Sequence, residues 1–203
     1  MPAAIPGTLR RVHIDHVIWA TADLNAAAER LERSHGLRAA GGGRHDGMGT
    51  HNRIVPLGGG YLELLAVADA EEAAGSALGR AVTERLASVG EGLMGWAVAT
   101  DDVAAVAARL GTELVEIRRQ GFVGRLTGVA EAMAEPCLPF FIERGRDVAD
   151  PGADVDAGGL RWVEVTGDAA RLAGWLGDEP LPLRVRPGAP ALLAVGIGEQ
   201  RLP

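Results

Sequence analysis

Three times along its 203 residues the chain closes an apolar run with Thr-x-Asp and opens an alanine-rich stretch: Thr21-Ala22-Asp23, Thr100-Asp101-Asp102 and Thr166-Gly167-Asp168. Each pattern predicts a strand-to-helix junction, because an aspartate placed there can accept from the unpaired amides of the first helical turn. Eight residues after each aspartate stands a leucine: Leu31, Leu110 and Leu176. That spacing is about two helical turns, which returns the leucine to the face of the first turn. Three such junctions point to a chain assembled from repeats of one unit.

The first unit runs from Val12 to Val67. A strand over Val12–Ala20 places Val12, Ile14, His16 and Ile18 on one face. A helix follows from about Asp23 to Arg33, with Leu24, Ala27, Ala28 and Leu31 as its apolar stripe and Gly36 as its terminator. A strand near Leu37–Ala40, a polar glycine-rich loop, a strand near Asn52–Leu57, a Gly58-Gly59-Gly60 turn and a strand Tyr61–Val67 complete a βαβββ order. A connecting helix over Asp69–Val89 leads to the second unit: strand Leu93–Thr100, helix Asp102–Leu110, strands Glu113–Arg119 and about Gly124–Glu131, and a last strand Leu138–Glu143. The order is again βαβββ. The Asp- and Gly-rich residues 144–159 read as a linker. Residues 160–203 form a shortened third βαββ unit, expected to cover an edge or support a homodimer. The fold class is therefore α+β, with a two-module domain over 12–143, a third partial module packed on it and a flexible arm over residues 1–11.

Charge and composition remove several function classes. The net charge is -7 and no basic run exists, so neither nucleic acid nor an anionic membrane is an expected partner. No apolar run approaches a membrane span, and the first residues lack a signal-peptide core, which makes a cytoplasmic location the expectation. All 20 basic residues are arginine. Without lysine there is no Schiff-base chemistry and no Walker-type phosphate loop, despite the glycines. Cys137 is the single cysteine and sits among apolar neighbours, so it reads as a small buried hydrophobe.

The polar groups of the first unit carry the chemistry. His16 lies in an apolar strand, and Glu63 shares a face with Tyr61 and Leu65 in another. Between them, residues 41–52 interleave glycines with Arg44, His45, Thr50 and Asn52. Arg44 offers a planar fork of donors suited to a carboxylate, phosphate or enolate oxygen of a small-molecule ligand. His45 suits proton transfer near neutral pH, and Thr50 and Asn52 suit ligand orientation, whereas His51 and His13 alternate to the opposite faces. Of the four tryptophans, Trp96 is expected to line the second half of a binding cup. His16 and Glu63 admit two readings, a metal donor pair for Zn, Fe, Mn, Ni or Co, or a hydrogen-bonded pair in a metal-free pocket.

Paired βαβββ units with His in the first strand and Glu in the last resemble the vicinal oxygen chelate superfamily, in its glyoxalase-like branch. The motifs that carry the likeness are Asp15-His16-Val17, Asp23-Leu24, Gly42-Gly43-Arg44-His45, Gly49-Thr50-x-Asn52 and Tyr61-Leu62-Glu63-Leu64, with Phe140-Phe141-Ile142-Glu143 in the second half. The resemblance implies that the modules curl into a half-open barrel whose cup binds a small oxygenated molecule, within one chain or across a dimer. It implies isomerase, lyase or dioxygenase chemistry, with one divalent metal held by His16 and Glu63, and Glu143 completing the cup from the second module. Gly95 stands where a second histidine would be needed. The alternative is a metal-free protein of the same fold that binds or sequesters its ligand unchanged.

Overall fold

The computed structural model describes residues 12–119, 122–145, 148, 151, 152, 155, 157–177 and 179–203. The arm expected over residues 1–11 lies outside the described residues, as do 146, 147, 149, 150, 153, 154 and 156 of the expected linker.

The first module comprises β1 (His13–Ala20), α1 (Leu24–His35), β2 (Ala40–His45), β3 (Thr50–Pro56) and β4 (Tyr61–Val67). Helices α2 (Ala70–Gly75) and α3 (Ala77–Ser88) lead to the second, made of β5 (Gly92–Ala99), α4 (Val103–Leu110), β6 (Leu114–Arg119), β7 (Phe122–Thr127), α5 (Val129–Ala134) and β8 (Phe140–Arg144). The third unit comprises β9 (Leu160–Thr166), α6 (Ala169–Leu176), β10 (Leu183–Arg186), β11 (Ala191–Ile197) and β12 (Gln200–Leu202).

The three junctions form as the repeat requires. The Asp23 carboxylate accepts from the Asn25 and Ala26 amides, Asp102 from Ala105, and Asp168 from Ala170 and Arg171. Leu31 and Leu176 are buried at the far end of their helices, and Leu110 packs against the same core half-buried. The first two modules join in one eight-stranded sheet ordered β2-β3-β4-β1-β5-β8-β7-β6. It curls until its ends approach, the Asp46 amide beside β2 donating to the Arg118 carbonyl of β6 at 3.3 Å. This is the α+β half-open barrel of paired βαβββ modules. One core, with Val17, Leu64 and Trp96, fills the side covered by α1, α4 and α6. A second core lies in the concavity, where Ile18, Leu65 and Phe140 meet Leu78 of α3 and Ala132 of α5.

Four segments differ from the sequence expectation, each for a local reason. The glycine-rich stretch is a hairpin of β2 and β3 and not an open loop. Gly42 is needed there because a Cβ would lie 2.1 Å from the Asn52 carbonyl oxygen. The connecting helix breaks at Ser76, whose hydroxyl caps α3 by accepting from Gly79 at 2.8 Å. Strand β7 stops at Thr127, because Gly128 at φ 75 turns the chain into α5. The third unit has one more short strand, β12, and a different wiring, with sheet order β10-β9-β11-β12 and β10 parallel to β9. Its likeness to the modules thus ends with its helix. Among the described residues no helix is long and apolar enough to cross a membrane.

The hairpin turn makes a test of packing. Gly47 and Gly49 both have positive φ, 71 and 66, but a Cβ on Gly47 meets nothing within 4 Å whereas one on Gly49 lies 2.1 Å from the Ala73 amide of α2. Gly47→Ala is expected to cost about 1 kcal/mol through backbone strain alone. Gly49→Ala is expected to cost about 2–4 kcal/mol in urea unfolding, because α2 must also be displaced.

Candidate functional site

The site begins with a departure from regular strand geometry. His16 faces Ala97 and Ile14 faces Val98 across the β1–β5 ladder, so an extra residue, Asp15, is accommodated between them. A bulge of this kind shifts the alternation by one. Ile14 therefore joins the helix-side core with Val17 instead of sharing the His16 face as expected, and Asp15 comes to lie beside His16. Its Oδ1 is 2.6 Å from His16 Nδ1. The imidazole is further held by Tyr61, stacked on it at 4.6 Å, and by Phe140 edge-on at 5.4 Å. Its other nitrogen, Nε2, faces the Glu63 carboxylate at 3.5 Å.

Glu63 reaches that position because β4 alternates without a bulge, placing Tyr61, Glu63 and Leu65 inward and Leu62 and Leu64 against the helices. Glu63 is buried, 6% exposed as a residue, and its carboxylate accepts from the Asn52 side-chain amide. Asn52 Oδ1 takes the Gly43 amide at 3.0 Å, which leaves its Nδ2 for Glu63 and, at 3.1 Å, for His45 Nε2. His45 Nδ1 in turn is 2.9 Å from the Thr50 hydroxyl. Sequence spacing in the hairpin explains this network: His45 pairs with Thr50, and Gly43 with Asn52, so the inward positions of both strands meet. His45 Nε2 also lies 3.5 Å from Glu63, giving the carboxylate an imidazole on either side.

The second module answers with hydrocarbon. The β1–β5 pairing is two-fold symmetric: His16 faces Ala97 and Ile18 faces Gly95, so Gly95 takes the place of His16 and Ala97 that of Ile18. Ile18 pairs with Glu63 and Ala97 with Phe140, which puts Phe140 where Glu63 stands in the first module. A Cβ on Gly95 would meet Met133 of α5 at 2.8 Å. The two halves enclose a partly open cavity of about 30 Å³ with His16, His45, Asn52, Tyr61 and Glu63 on one wall. Phe140, Ile142, Ile117, Leu126 and Leu78 form the other. At that size it admits a few atoms of a ligand, not a whole large one.

Three expected residues lie elsewhere. Arg44 alternates outward from His45, half exposed, and pairs with Glu72 and Asp69 of the α2 turn. Trp96 does not line the cup. It is fully buried in the helix-side core, where its indole donates to the Cys137 carbonyl at 3.3 Å. Glu143 also points away, accepting from the Val103 amide at the start of α4 and from Arg125. The inward residues of β8 are Phe140, Ile142 and Arg144, one step out of register with the expectation. Arg144 brings its Nε to Asp15 Oδ2 at 3.1 Å and donates to Tyr61 Oη at 3.3 Å. Asp15, Tyr61 and Arg144 are thus site residues that sequence reasoning missed. Asp15 and Tyr61 stood inside the quoted motifs, while Arg144 carried no signal short of the strand register.

Burial alone would raise the Asp15 carboxyl, but the His16 hydrogen bond and the charges of His16 and Arg144 outweigh it, and the value falls from 3.8 to about 2. A group depressed on folding stabilises the protein fully above its ordinary value and loses that contribution as pH falls through its folded value. The Asp15 contribution, about 2 kcal/mol, should therefore be lost between about pH 4 and pH 2. Urea unfolding of wild type and Asp15→Asn is expected to show a stability gap that narrows across that window.

The donor set does not fit the divalent metal that the resemblance implied at His16 and Glu63. Catalytic zinc and non-haem iron centres take three protein donors. His16 and Glu63 supply two, Gly95 and Phe140 supply none, and His45 Nε2 is engaged by Asn52. Among the described residues no group of three or more His, Cys, Asp or Glu is arranged to hold an ion.

A family model described as a glyoxalase-like domain matches residues 14–179, which takes in both modules and the start of the third unit. No curated protein sequence matches the chain. Among solved structures, a hypothetical protein from Staphylococcus aureus is similar with a TM-score of 0.66 at 17% identity, over 87% of this chain and 86% of that one. A Streptomyces coelicolor methylmalonyl-CoA epimerase variant in complex with 2-nitronate-propionyl-CoA is similar with a TM-score of 0.52 at 25% identity, over 71% of this chain and 100% of that one. A methylmalonyl-CoA epimerase in complex with methylmalonyl-CoA and NH4+ matches with a TM-score of 0.51 at 24% identity, over 70% and 99%.

Proposed function

The chain belongs to the glyoxalase-like domain family of the vicinal oxygen chelate superfamily, and on that premise we propose that it is an isomerase-type enzyme moving a proton at a carbon beside a carbonyl. The observation that carries this is Glu63, a carboxylate inside the cavity with the Nε2 atoms of His16 and His45 each at 3.5 Å. His45 has both nitrogens engaged, by Thr50 and Asn52, so its part is to orient Asn52 against Glu63. The acid–base pair is Glu63 and His16.

With a carbonyl compound in the cavity, Glu63 takes the proton from the adjacent carbon and the C–H electron pair moves to the carbonyl oxygen. The His16 Nε2 lone pair, 3.5 Å away, then takes that proton from Glu63 and leaves the enolate, and the reverse transfers, after the proton has exchanged with solvent, complete the exchange. The low-dielectric wall strengthens both interactions. The Phe140 and Ile142 side offers an apolar wall to a small alkyl substituent on the reacting carbon. The similarity at 25% identity to an epimerase of a methyl-branched acyl thioester supports this substrate class. Epimerisation beside a carbonyl needs the same proton to leave and return.

The test is incubation in D2O with short acyl thioesters, 2-methyl-branched acyl thioesters and 2-hydroxy ketones, followed by proton NMR. Loss of the signal of the proton beside the carbonyl is the expected result. A compound that raises the melting temperature but keeps that proton would instead support binding without turnover.

A further inference from the structure

The second module lends the acid–base pair no polar partner at the symmetric positions, yet its Arg144 reaches the pair. We propose that Arg144 is a positioning residue for His16, holding it through Asp15 in the tautomer whose Nε2 lone pair faces Glu63. The inference rests on the reading of Glu63 and His16 as the proton-transferring pair, and extends it across the module boundary.

The chain of contacts is short and buried. The Arg144 side chain is 5% exposed. It grips Asp15 with both ends of its fork, Nε on Oδ2 at 3.1 Å and Nη2 on Oδ1, and Nη2 also reaches Tyr61 Oη at 3.3 Å. A two-pronged guanidinium fixes the carboxylate plane as well as its charge. Asp15 Oδ1 then takes the Nδ1 proton of His16 at 2.6 Å, and a neutral ring protonated at Nδ1 carries its lone pair at Nε2. Tyr61 ties the same residues again, since its ring stacks on His16 while its hydroxyl is held by Arg144. A carboxylate placed only by the bulge could rotate away from the ring. Arg144 removes that freedom, and it can do so because β8 presents Phe140, Ile142 and Arg144 on one face. The hydrocarbon half of the cup and the group that orients the polar half thus come from a single five-residue strand.

Long-range 1H–15N NMR of His16, at a pH where the ring is neutral, tests this without turnover. The wild type is expected to show the Nδ1–H tautomer, and Arg144→Met a mixture with Nε2–H. In the exchange assay Arg144→Met is expected to lower kcat about 10²-fold with KM within about threefold, since the lost orientation acts on the proton step. Arg144→Lys, which keeps the cation but not the fork, is expected to be intermediate in both readouts, and it serves if the methionine variant fails to fold. An unchanged His16 tautomer together with unchanged kcat in either variant would overturn the proposal and leave the role of Glu63 standing. Absence of exchange in the wild type would remove that role, while the tautomer still decides the placement of His16 by Arg144.

Discussion

Glu63→Gln is expected to lower proton exchange by about 10²–10⁴-fold while leaving the protein folded. Glutamine keeps the shape of the side chain, so packing against Tyr61 and Leu65 is retained. It also keeps an oxygen able to accept from Asn52. What it lacks is the ability to hold the abstracted proton, and among the described residues no other carboxylate lines the cavity. Asp15 is turned toward Arg144 and Glu143 lies on the opposite face. The effect should fall on kcat, because the group acts on the reacting atoms and not on the rest of the ligand. Circular dichroism and urea unfolding should show a stability within about 1 kcal/mol of the wild type, since one acceptor replaces another. A large loss of stability would mean that Glu63 is chiefly a core group satisfied by its neighbours.

Trp96→Ala is expected to cost about 3–5 kcal/mol, the range for removing a large buried aromatic side chain. Trp96 is fully buried among the residues that join the sheet to its helices. Its removal leaves a cavity and strands the Cys137 carbonyl that its indole serves. Against a total stability of about 5–15 kcal/mol for a domain, the variant should unfold at far lower urea concentration or fail to accumulate. The same variant separates two placements of the indole. Were Trp96 a wall of the cup, its truncation would enlarge the site and change ligand preference at modest cost to stability. In the structure it is on the other side of the sheet, so the stability loss should come without a change in which carbonyl compounds exchange.

The parts of the fold legible in the sequence are those governed by short-range rules. Asp23, Asp102 and Asp168 announce their helices because capping involves residues two or three apart. The alternation in β4 likewise placed Glu63 inward, since nothing interrupts its period of two. Where reasoning by period failed, a single inserted residue was the cause. The bulge at Asp15 moved Ile14 to the helix side and made the Asp15–His16 contact, which no regular strand permits between neighbours. In β8 the pairing of Ala97 with Phe140 decides that Arg144 and not Glu143 faces the cup, and strand register is a long-range property. Trp96 belongs to the same class, because adjacent positions of β5 face opposite cores. The glycines of the hairpin looked like a ligand loop, but Gly42 and Gly49 are required by the close approach of Asn52 and Ala73 backbone.

The central claim is that residues of the first module alone perform the proton transfer, with Glu63 as the base and no metal in the step. Deuterium incorporation into a 2-methyl-branched acyl thioester, followed by NMR in chelator-treated wild type and in Glu63→Gln, tests it most directly. Exchange is expected to continue at an undiminished rate after chelation and to be almost completely lost in the variant. Exchange that disappears with the chelator and returns on adding a divalent ion, or exchange that survives the loss of the Glu63 carboxylate, would contradict it.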